Sequence, residues 1–229
     1  MNSSTRLAYD TTANDFGAIK ALKGHSTEFR KRGRIWELEA LQRVAASSHC
    51  LHLPNEFTHP GKGSAGHHFC LVTSVYGGDV KSLWVQHQNF PLPLSKRILL
   101  HTLRGIAYAH SKGVIHTDLE HDNIFFTSLL SRHGILASDP SRRNPLEASL
   151  DGVVSSAVAQ PFPIPSLDDA MKCEYLIADF GSGTYQSSSV AFVSLSRSLI
   201  HRAQLFDKPK EAEATALPLR APEVLLLRP

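Results

Sequence analysis

Between residues 4 and 22, two short segments with apolar residues, the second more apolar than the first, lie on either side of a polar stretch. Residues 4–10 (STRLAYD) and 16–22 (FGAIKAL) form two such segments, and between them lies a short polar stretch that includes TTAN. Two short strand-like segments joined by a short polar turn are typical of a β-hairpin. We therefore predict a β-hairpin over residues 4–22.

The spacing of apolar residues becomes helical in two later segments. Residues 26–47 have this period, although Gly33 weakens the first turns. Residues 91–113 predict the clearest helix, and Gly113 suits the position just after its end. Five residues of this second segment share one helical face: Leu99, Leu103, Ile106, Ala107 and His110.

A strand and a long irregular segment complete the pattern. Residues 67–77 (HHFCLVTSVYG) form a strand-like run whose end is marked by Gly77 and Gly78. Residues 127–173 are rich in Ser, Pro and Asp, show little periodicity and are too long for an ordinary loop, so we expect an insertion. Its composition favours a solvated connection over a docking segment. Residues 174–183 (EYLIADFGSG) then predict a short strand and a turn.

Composition limits the classes of protein that fit. With 229 residues, 42% of them hydrophobic and 20% charged, the chain can bury the core of one domain or of two small lobes. A net charge of +3 without a basic, aromatic stripe argues against direct nucleic-acid binding. No apolar run matches a signal peptide or a membrane span, and the three cysteines form no CxxC pair. We expect an intracellular protein of the cytoplasm or nucleus, and the oligomeric state is open.

Four short motifs stand in a fixed order along the chain: residues 17–20 (GAIK), 116–123 (HTDLEHDN), 179–181 (DFG) and 221–223 (APE). Each alone is a weak signal, but the ordered set is specific, and the chain resembles eukaryotic serine/threonine protein kinases. It is most similar to the SR-protein kinase group, particularly to divergent fungal-like members. Thr117 in place of the usual arginine, the segment CLVTSVYG and the insertion before the DFG motif support this subgroup.

The resemblance implies a fold and a reaction. The fold would be α+β and bilobal, with a partial, β-rich N-lobe of one helix at residues 1–76 and a partial, mainly helical C-lobe at residues 77–229. The reaction would be transfer of the γ-phosphate of ATP to serine or threonine of a protein substrate, typically beside arginine. ATP and Mg²⁺ are the implied cofactors, and an Arg/Ser-rich protein is the implied partner.

The family's motifs assign roles to individual residues. Asp118 would accept the proton of the substrate hydroxyl, and Lys20 would hold the α- and β-phosphates. Asn123 and Asp179 would bind Mg²⁺ through oxygen atoms, which suit a hard cation. His116 would be a structural residue that packs under the DFG turn.

Lys20 needs a carboxylate partner from the helix that follows it. On a helix, Glu37 shares a face with Leu41 and Val44, whereas Glu39 is rotated by about 200° to the polar side. Glu37 is therefore the predicted partner, and alignment with the family agrees.

The strand at residues 67–77 also has implied roles. Thr73 falls at the gatekeeper position of the family, and Ser74 to Tyr76 would form the hinge that binds adenine through backbone groups. Glu223 resembles the glutamate that anchors the activation segment to an arginine, which would lie beyond the end of this chain.

Three features depart from the family. No G-x-G-x-x-G precedes Lys20, as if the chain began just after that loop. Glu120 stands where an active kinase has a lysine that faces the γ-phosphate, and a carboxylate there opposes transfer electrostatically. The chain stops six residues after Glu223, without the helices of a complete C-lobe.

These departures leave two alternatives open: a non-catalytic, kinase-derived module that binds or regulates partners, and a gene fragment with no role. Other chemistry is disfavoured. The 13 histidines lack acidic or cysteine partners at zinc-ligand spacing, and a GxSxG motif is absent. The basic run at residues 30–34 is explained more simply as a solvated helix start than as a nuclear-localisation signal.

Overall fold

The structure is a computed structural model that describes residues 3–32, 35–129 and 162–182 and the backbone of residues 204–205. Its strands are β1 (Ser3–Asp10), β2 (Asp15–Leu22), β3 (Asn55–Pro60), β4 (His67–Ser74), β5 (Tyr76–Asp79), β6 (Val114–Ile115), β7 (Ile124–Thr127), β8 (Tyr175–Ile177) and β9 (Gln204–Leu205). Its α-helices are α1 (Gly24–Lys31), α2 (Glu37–Val44), α3 (Val80–His87), α4 (Leu92–Ser111) and α5 (Leu167–Ala170).

The first half of the chain forms a four-stranded antiparallel sheet in the order β1-β2-β4-β3. The predicted hairpin is confirmed as β1 and β2, which pair along their whole length. The Asp10 carboxylate fixes the turn, because it accepts hydrogen bonds from the backbone N–H groups of Thr12 and Ala13 at 2.8 and 3.0 Å. Asp is common in turns for this reason.

The strand register places two cross-strand rows of side chains on one face of this sheet. Leu7 lies opposite Ala18 on β2, and Ala18 lies opposite Thr73 on β4. Thr5 lies opposite Lys20 in the neighbouring row. Directly opposed residues of antiparallel strands project to the same side, so these rows form one continuous surface.

The single helix predicted for residues 26–47 is wrong, since the structure has two helices, α1 and α2. Arg32 ends α1 and donates its backbone N–H to the carbonyl of Glu28. Arg30 lies over the Phe69 ring at 3.8 Å from its centroid. The basic run therefore lies at the end of a helix and not at its start. The helix dipole favours cations at this end. The low helix propensity of Gly33 suits the break.

A hydrophobic cluster around α2 includes strands of the four-stranded sheet and strands outside it. Helix α2 buries Leu38, Ala40, Leu41 and Val44 against β4, β6 and β8. Residues 49–51 link the helix to β8, because Leu51 donates its N–H to the Ile177 carbonyl at 2.9 Å. The same cluster contains Phe180, so the chain after β8 is held close to α2.

The buried face of α4 differs from the apolar face expected from the sequence. Leu99 and Leu103 are more than half exposed among the described residues. The buried residues lie on another face: Leu94, Ile98, His101, Thr102, Gly105 and Ala109. Close packing explains the choice, because a Cβ on Gly105 would overlap the His49 carbonyl oxygen. Only the face with this glycine lets α4 approach the 49–51 segment.

The described end of the predicted insertion is folded. Ile164 and Leu167 pack against the second core cluster, which contains Phe126 and Tyr175, and Ala170 is fully buried there. The spacing of 164, 167 and 170 is helical, a short signal that the polar composition of the segment obscured. Residues 130–161 lie outside the described part.

The strand-rich first part and the helical second part confirm the α+β class. The second part has its own three-stranded antiparallel sheet in the order β5-β7-β8, against which α4 packs. Within the described residues, the helices are too short or too polar to cross a membrane.

Candidate functional site

A cleft of about 420 Å³ lies against the four-stranded sheet, on the face that carries Ala18, Lys20 and Thr73. Five of the residues singled out from the sequence line it: Lys20, Thr73, Ser74, Tyr76 and Asp179. Three others do not line it, namely Glu37, Asp118 and Asn123. The cleft therefore brings together Lys20 and Asp179, which are 159 positions apart in the chain.

Lys20 stands at the centre of an ion-pair triad. Its Nζ lies 2.6 Å from Glu37 Oε1 and 2.7 Å from Asp179 Oδ1. The Glu37 side chain is 4% exposed, while that of Asp179 is 42% exposed. Glu37 thus holds the lysine from the protein interior, and Asp179 holds it at the cleft. Glu39 is less buried than Glu37 and turns away, as its helical position requires.

Burial and charge act against each other in this triad. Burial alone would lower the pKa of Lys20, but the carboxylates of Glu37 and Asp179 outweigh burial and raise it. Burial raises the pKa of Glu37, with Lys20 opposing. Burial would also raise the pKa of Asp179, but Lys20 holds it below its usual value. The lysine is therefore firmly protonated, and the Asp179 carboxylate is ionised at pH 7.

Because Gly181 has no side chain, the carboxylates of Glu37 and Asp179 can lie next to its backbone. A Cβ at this position would lie 2.9 Å from Glu37 Oε2 and 3.0 Å from Asp179 Oδ1. Asp179 itself adopts a left-handed backbone conformation with φ of 56°. A turn of this shape directs the carboxylate towards Lys20 while the next side chain, Phe180, is fully buried.

His116 fastens the loop at residues 116–123 to this turn. Its Nε2 donates to the carbonyl oxygen of Ala178 at 2.7 Å, and its ring packs on Phe180 with centroids 4.9 Å apart. Burial lowers the pKa of His116, so the ring is neutral. The following residue, Thr117, has φ of 61°, which is uncommon for a β-branched residue. The predicted packing of His116 under the DFG turn agrees with these contacts.

Asn123 closes the same loop. Its Nδ2 donates to the backbone carbonyl of Asp118 at 2.9 Å, and the Asn123 backbone N–H donates to the Glu120 carbonyl at 3.0 Å. Because the amide nitrogen is turned to the loop, Oδ1 is the Asn123 atom that can bind a cation. The amide oxygen of Asn123 and the carboxylate of Asp179 are the oxygen donors that Mg²⁺ prefers. The donor set therefore fits Mg²⁺.

Charged groups of α3 lie beside this loop. Lys81 Nζ is 3.0 Å from Asp122 Oδ2, and both side chains are partly exposed. The bond to Asp122 raises the pKa of Lys81, and the charges of Asp79 and Glu120 add to the effect. Glu120 therefore has a nearby lysine, Lys81 of α3. In the family pattern the lysine belongs to the loop itself, at the position of Glu120.

The outer end of the cleft is formed by β5 and β7. Tyr76 packs on Phe125, with ring centroids 5.9 Å apart, and Phe125 lines the cleft. A Cβ on Gly77 would lie 2.6 Å from the Phe126 ring, so a side chain cannot fit there. Thr73 donates its hydroxyl to the carbonyl of Ser74 at 3.2 Å, in the segment predicted as a hinge.

Sequence reasoning missed several residues of the cleft: Leu7, Ala18, Phe125 and Phe162. The alternation of the hairpin could have found Leu7 and Ala18, since they share the face of Lys20. Phe125 follows Asn123 at the apolar end of its motif. Phe162 has no sequence signal, because it reaches the cleft only through tertiary packing.

Glu223, together with the rest of the APE motif, lies outside the described residues. The part of the chain that the structure describes contains no group of three His, Cys, Asp or Glu side chains spaced to hold a metal ion.

Comparison with known proteins gives a family and several relatives. The family model for the protein kinase domain matches residues 2–137. The chain is 26% identical over 185 residues to the dual specificity protein kinase lkh1 of Schizosaccharomyces pombe, which covers 78% of this chain and 22% of that protein.

Two further relatives match over about half of the chain. The serine/threonine-protein kinase AFC1 of Arabidopsis thaliana is 26% identical over 126 residues, which are 52% of this chain and 25% of that protein. The serine/threonine-protein kinase BCK1/SLK1/SSP31 of Saccharomyces cerevisiae is 28% identical over 130 residues, which are 56% of this chain and 8% of that protein. The chain thus spans a quarter or less of the length of these three relatives.

Proposed function

Because this chain belongs to the protein kinase domain family, we propose that it transfers the γ-phosphate of ATP to a serine or threonine of a protein substrate. The observation that carries this proposal is the position of Lys20 Nζ, which bonds the buried Glu37 and the cleft residue Asp179 at once. A lysine fixed in this way presents a permanent positive charge to an anionic ligand in the cleft.

Each residue of the site has a separate task in the proposed reaction. Lys20 would hold the α- and β-phosphates, and Glu37 would orient the lysine from behind. Asp118 would accept the proton of the attacking hydroxyl, in a loop that Asn123 holds closed. Asp179 and Asn123 would hold Mg²⁺, which neutralises negative charge on the phosphates when it is bound.

We propose that the substrate has arginine beside the phosphorylated residue, as in Arg/Ser-rich segments. The resemblance of residues 116–123 to the SR-protein kinase group supports this specificity. The charges near the loop support it too. Asp79, Glu120 and Asp122 contribute three carboxylates there, and Lys81 contributes one positive charge. A net negative surface attracts a basic peptide.

A phosphotransfer assay with radiolabelled ATP tests the reaction. The purified chain should label an Arg/Ser repeat peptide in the presence of Mg²⁺, and a matched peptide with arginine replaced by alanine should be labelled at least tenfold more slowly. Asp118→Ala should abolish labelling and still bind ATP. Equal labelling by this variant and by the parent chain would show that the assignment of the base is wrong.

Nucleotide binding can be measured separately from transfer. Mg²⁺-ATP at a hundred times its Kd should stabilise the folded chain by about 2.7 kcal/mol, seen as a higher melting temperature. Asp179→Asn is the matched control, since it keeps the size of the side chain and removes the charge that binds Mg²⁺. A chain whose melting does not respond to Mg²⁺-ATP would contradict the proposed function.

One observation favours a second candidate, a non-catalytic module that binds partners. Glu120 adds a carboxylate to the loop that would face the phosphates of a bound nucleotide. Glu120→Lys separates the two functions: the exchange should raise the transfer rate if the natural task is catalysis. If the task is docking, the variant should change neither partner binding nor a transfer rate that is already at background.

Two further parts of the proposal concern the whole protein. We place the boundary between the lobes near residue 76, in the strand pair that forms the outer end of the cleft. We also propose that the protein works inside the cell, in the cytoplasm or the nucleus. Imaging of a fluorescent fusion in its native host would test the location.

A further inference from the structure

Phe162 lines the same cleft as Lys20 and Asp179, although it lies far from the motifs in sequence. It belongs to the short segment at residues 162–166, which precedes α5. Its side chain is partly exposed. A partly exposed aromatic ring on the wall of a cleft can contact a bound ligand without first leaving a packed core.

Three contacts fix the segment in place. The Pro165 carbonyl accepts a hydrogen bond from His87 Nε2 of α3 at 2.8 Å. Ser166 caps α5 through its hydroxyl, which accepts from the backbone N–H of Asp169 at 3.1 Å. Ile164 packs into the second core cluster. Anchors within two to four residues of Phe162 determine where its ring lies.

The segment meets the outer end of the cleft at a glycine. Gly78 has φ of 151°, and a Cβ there would lie 3.0 Å from the Phe126 ring and 3.9 Å from Ile164 Cδ1. The glycine leaves room for the Phe126 ring, and Ile164 of the 162–166 segment lies beside it at an ordinary contact distance. Phe162 thus adds an aromatic ring to a cleft that the predicted hinge residues Ser74 and Tyr76 also line.

We propose that Phe162 is a specificity-determining residue that contacts the purine ring of the nucleotide. This inference rests on the proposed function. In the proposed function Lys20 and Asp179 hold the phosphates and their metal ion, and Leu7, Ala18 and Phe125 add apolar surface to the same cleft. An aromatic ring on the wall of a cleft offers a flat heterocycle a surface for offset-stacked or edge-to-face packing.

The test measures the affinities of ATP and of inorganic triphosphate for the full chain. Each is determined from its ability to displace a bound fluorescent ATP analogue. Phe162→Ala should weaken ATP binding about fivefold to tenfold, the lower range for loss of one base–aromatic contact. It should leave triphosphate binding within twofold of the parent value, because triphosphate needs only the Lys20 end. Pro163→Ala, at the exposed neighbour, should change neither affinity.

A second variant controls for the case in which Phe162→Ala does not fold. Phe162→Trp keeps an aromatic ring and adds a reporter, whose fluorescence should change with ATP and stay constant with triphosphate. Unchanged ATP affinity in Phe162→Ala would overturn the inference and leave the proposed function intact. Equal weakening of ATP and triphosphate would also overturn it, since the effect would then be general. A parent chain that binds no nucleotide would overturn both.

Discussion

Gly181 and Glu37 are so close that a Cβ on the glycine would lie 2.9 Å from Oε2 of the glutamate. Gly181→Ala should therefore push Glu37 or the DFG turn aside and move Lys20 from its position. We expect a loss of about 1–2 kcal/mol of stability, typical of overpacking. The transfer rate should fall by about tenfold to a hundredfold, since small misplacements of catalytic groups have effects of this size.

Gly17→Ala is the matched control for that exchange. A Cβ on Gly17 would meet its nearest atom, Val72 Cγ1, at an ordinary contact distance of 3.4 Å. Thermal melts and initial rates of both variants decide the matter. If Gly181→Ala keeps the rate and stability of the parent chain, the triad does not need the space that glycine leaves.

Lys20→Met should destabilise the chain by removing the only cation of the triad. Glu37 would then keep a buried carboxylate without its partner, a change that costs about 3 kcal/mol. A carboxyl group whose folded pKa is raised gives full stability at low pH and loses it as the pH rises through that pKa. The stability deficit of Lys20→Met should thus be largest near pH 8 and shrink towards pH 5.

The double variant Lys20→Met/Glu37→Gln tests the cause of that deficit. Neutral glutamine keeps the shape of Glu37, so the double variant should recover most of the lost stability and lose the pH dependence of the deficit. Chemical denaturation at several pH values measures both effects. A deficit that stays the same at pH 5 and pH 8 would rule out an unpaired buried carboxylate.

His101 should make stability fall as the pH drops below about 6.5, the ordinary pKa of histidine. Its Nδ1 accepts the backbone N–H of Tyr175 at 3.1 Å, which requires a neutral ring. Burial lowers its pKa, and the charges of His49, Arg97 and Arg104 act in the same direction against Glu174. A group that is harder to protonate when folded stabilises the fold above its unfolded pKa of about 6.5, and this contribution is lost as the pH falls.

His101→Asn keeps an acceptor near Nδ1 and removes the titration. The variant should flatten the rise of stability with pH, by at most about 1.4 kcal/mol per pH unit, the limit for one proton. Some slope should remain, because burial also lowers the pKa of His116. An identical slope in the variant would assign the pH dependence to other groups.

Gly105→Ala should be far more harmful than an ordinary helix substitution. Alanine normally favours a helix over glycine by about 1 kcal/mol, but here the Cβ would overlap the His49 carbonyl. We expect a net loss of about 3 kcal/mol, measured by denaturant unfolding. Ala107→Gly, at an exposed position of the same helix, should cost only about 1 kcal/mol. Equal losses would show that α4 and the 49–51 segment are not closely packed.

Local signals predicted much of this fold. The polar turn between two short strand-like segments predicted the β1–β2 hairpin, and helical spacing predicted the ends of α4 within two residues. The same reasoning singled out Glu37 over Glu39, because a charged group on the face of Leu41 and Val44 must find a buried partner. The structure brings Glu37 to Lys20, while the functional roles of both residues stay predictions.

Tertiary packing decided what the sequence could not. Helix α4 has apolar residues on more than one face, so periodicity alone could not tell which would be buried. The approach of His49 to Gly105 selects the face, and those residues are 56 positions apart. Phe162 is the same kind of case, because its place in the cleft depends on anchors at His87 and Gly78.

The left-handed backbone at Thr117 has a consequence for selection. A β-branched residue in that conformation costs of order 1 kcal/mol, which glycine or asparagine would avoid. A library of variants sorted only for folding should therefore enrich glycine or asparagine at position 117. A library sorted for phosphotransfer should keep the threonine if its side chain serves the reaction. The preferred residue at this one position would distinguish a protein maintained for its activity from one maintained for its fold alone.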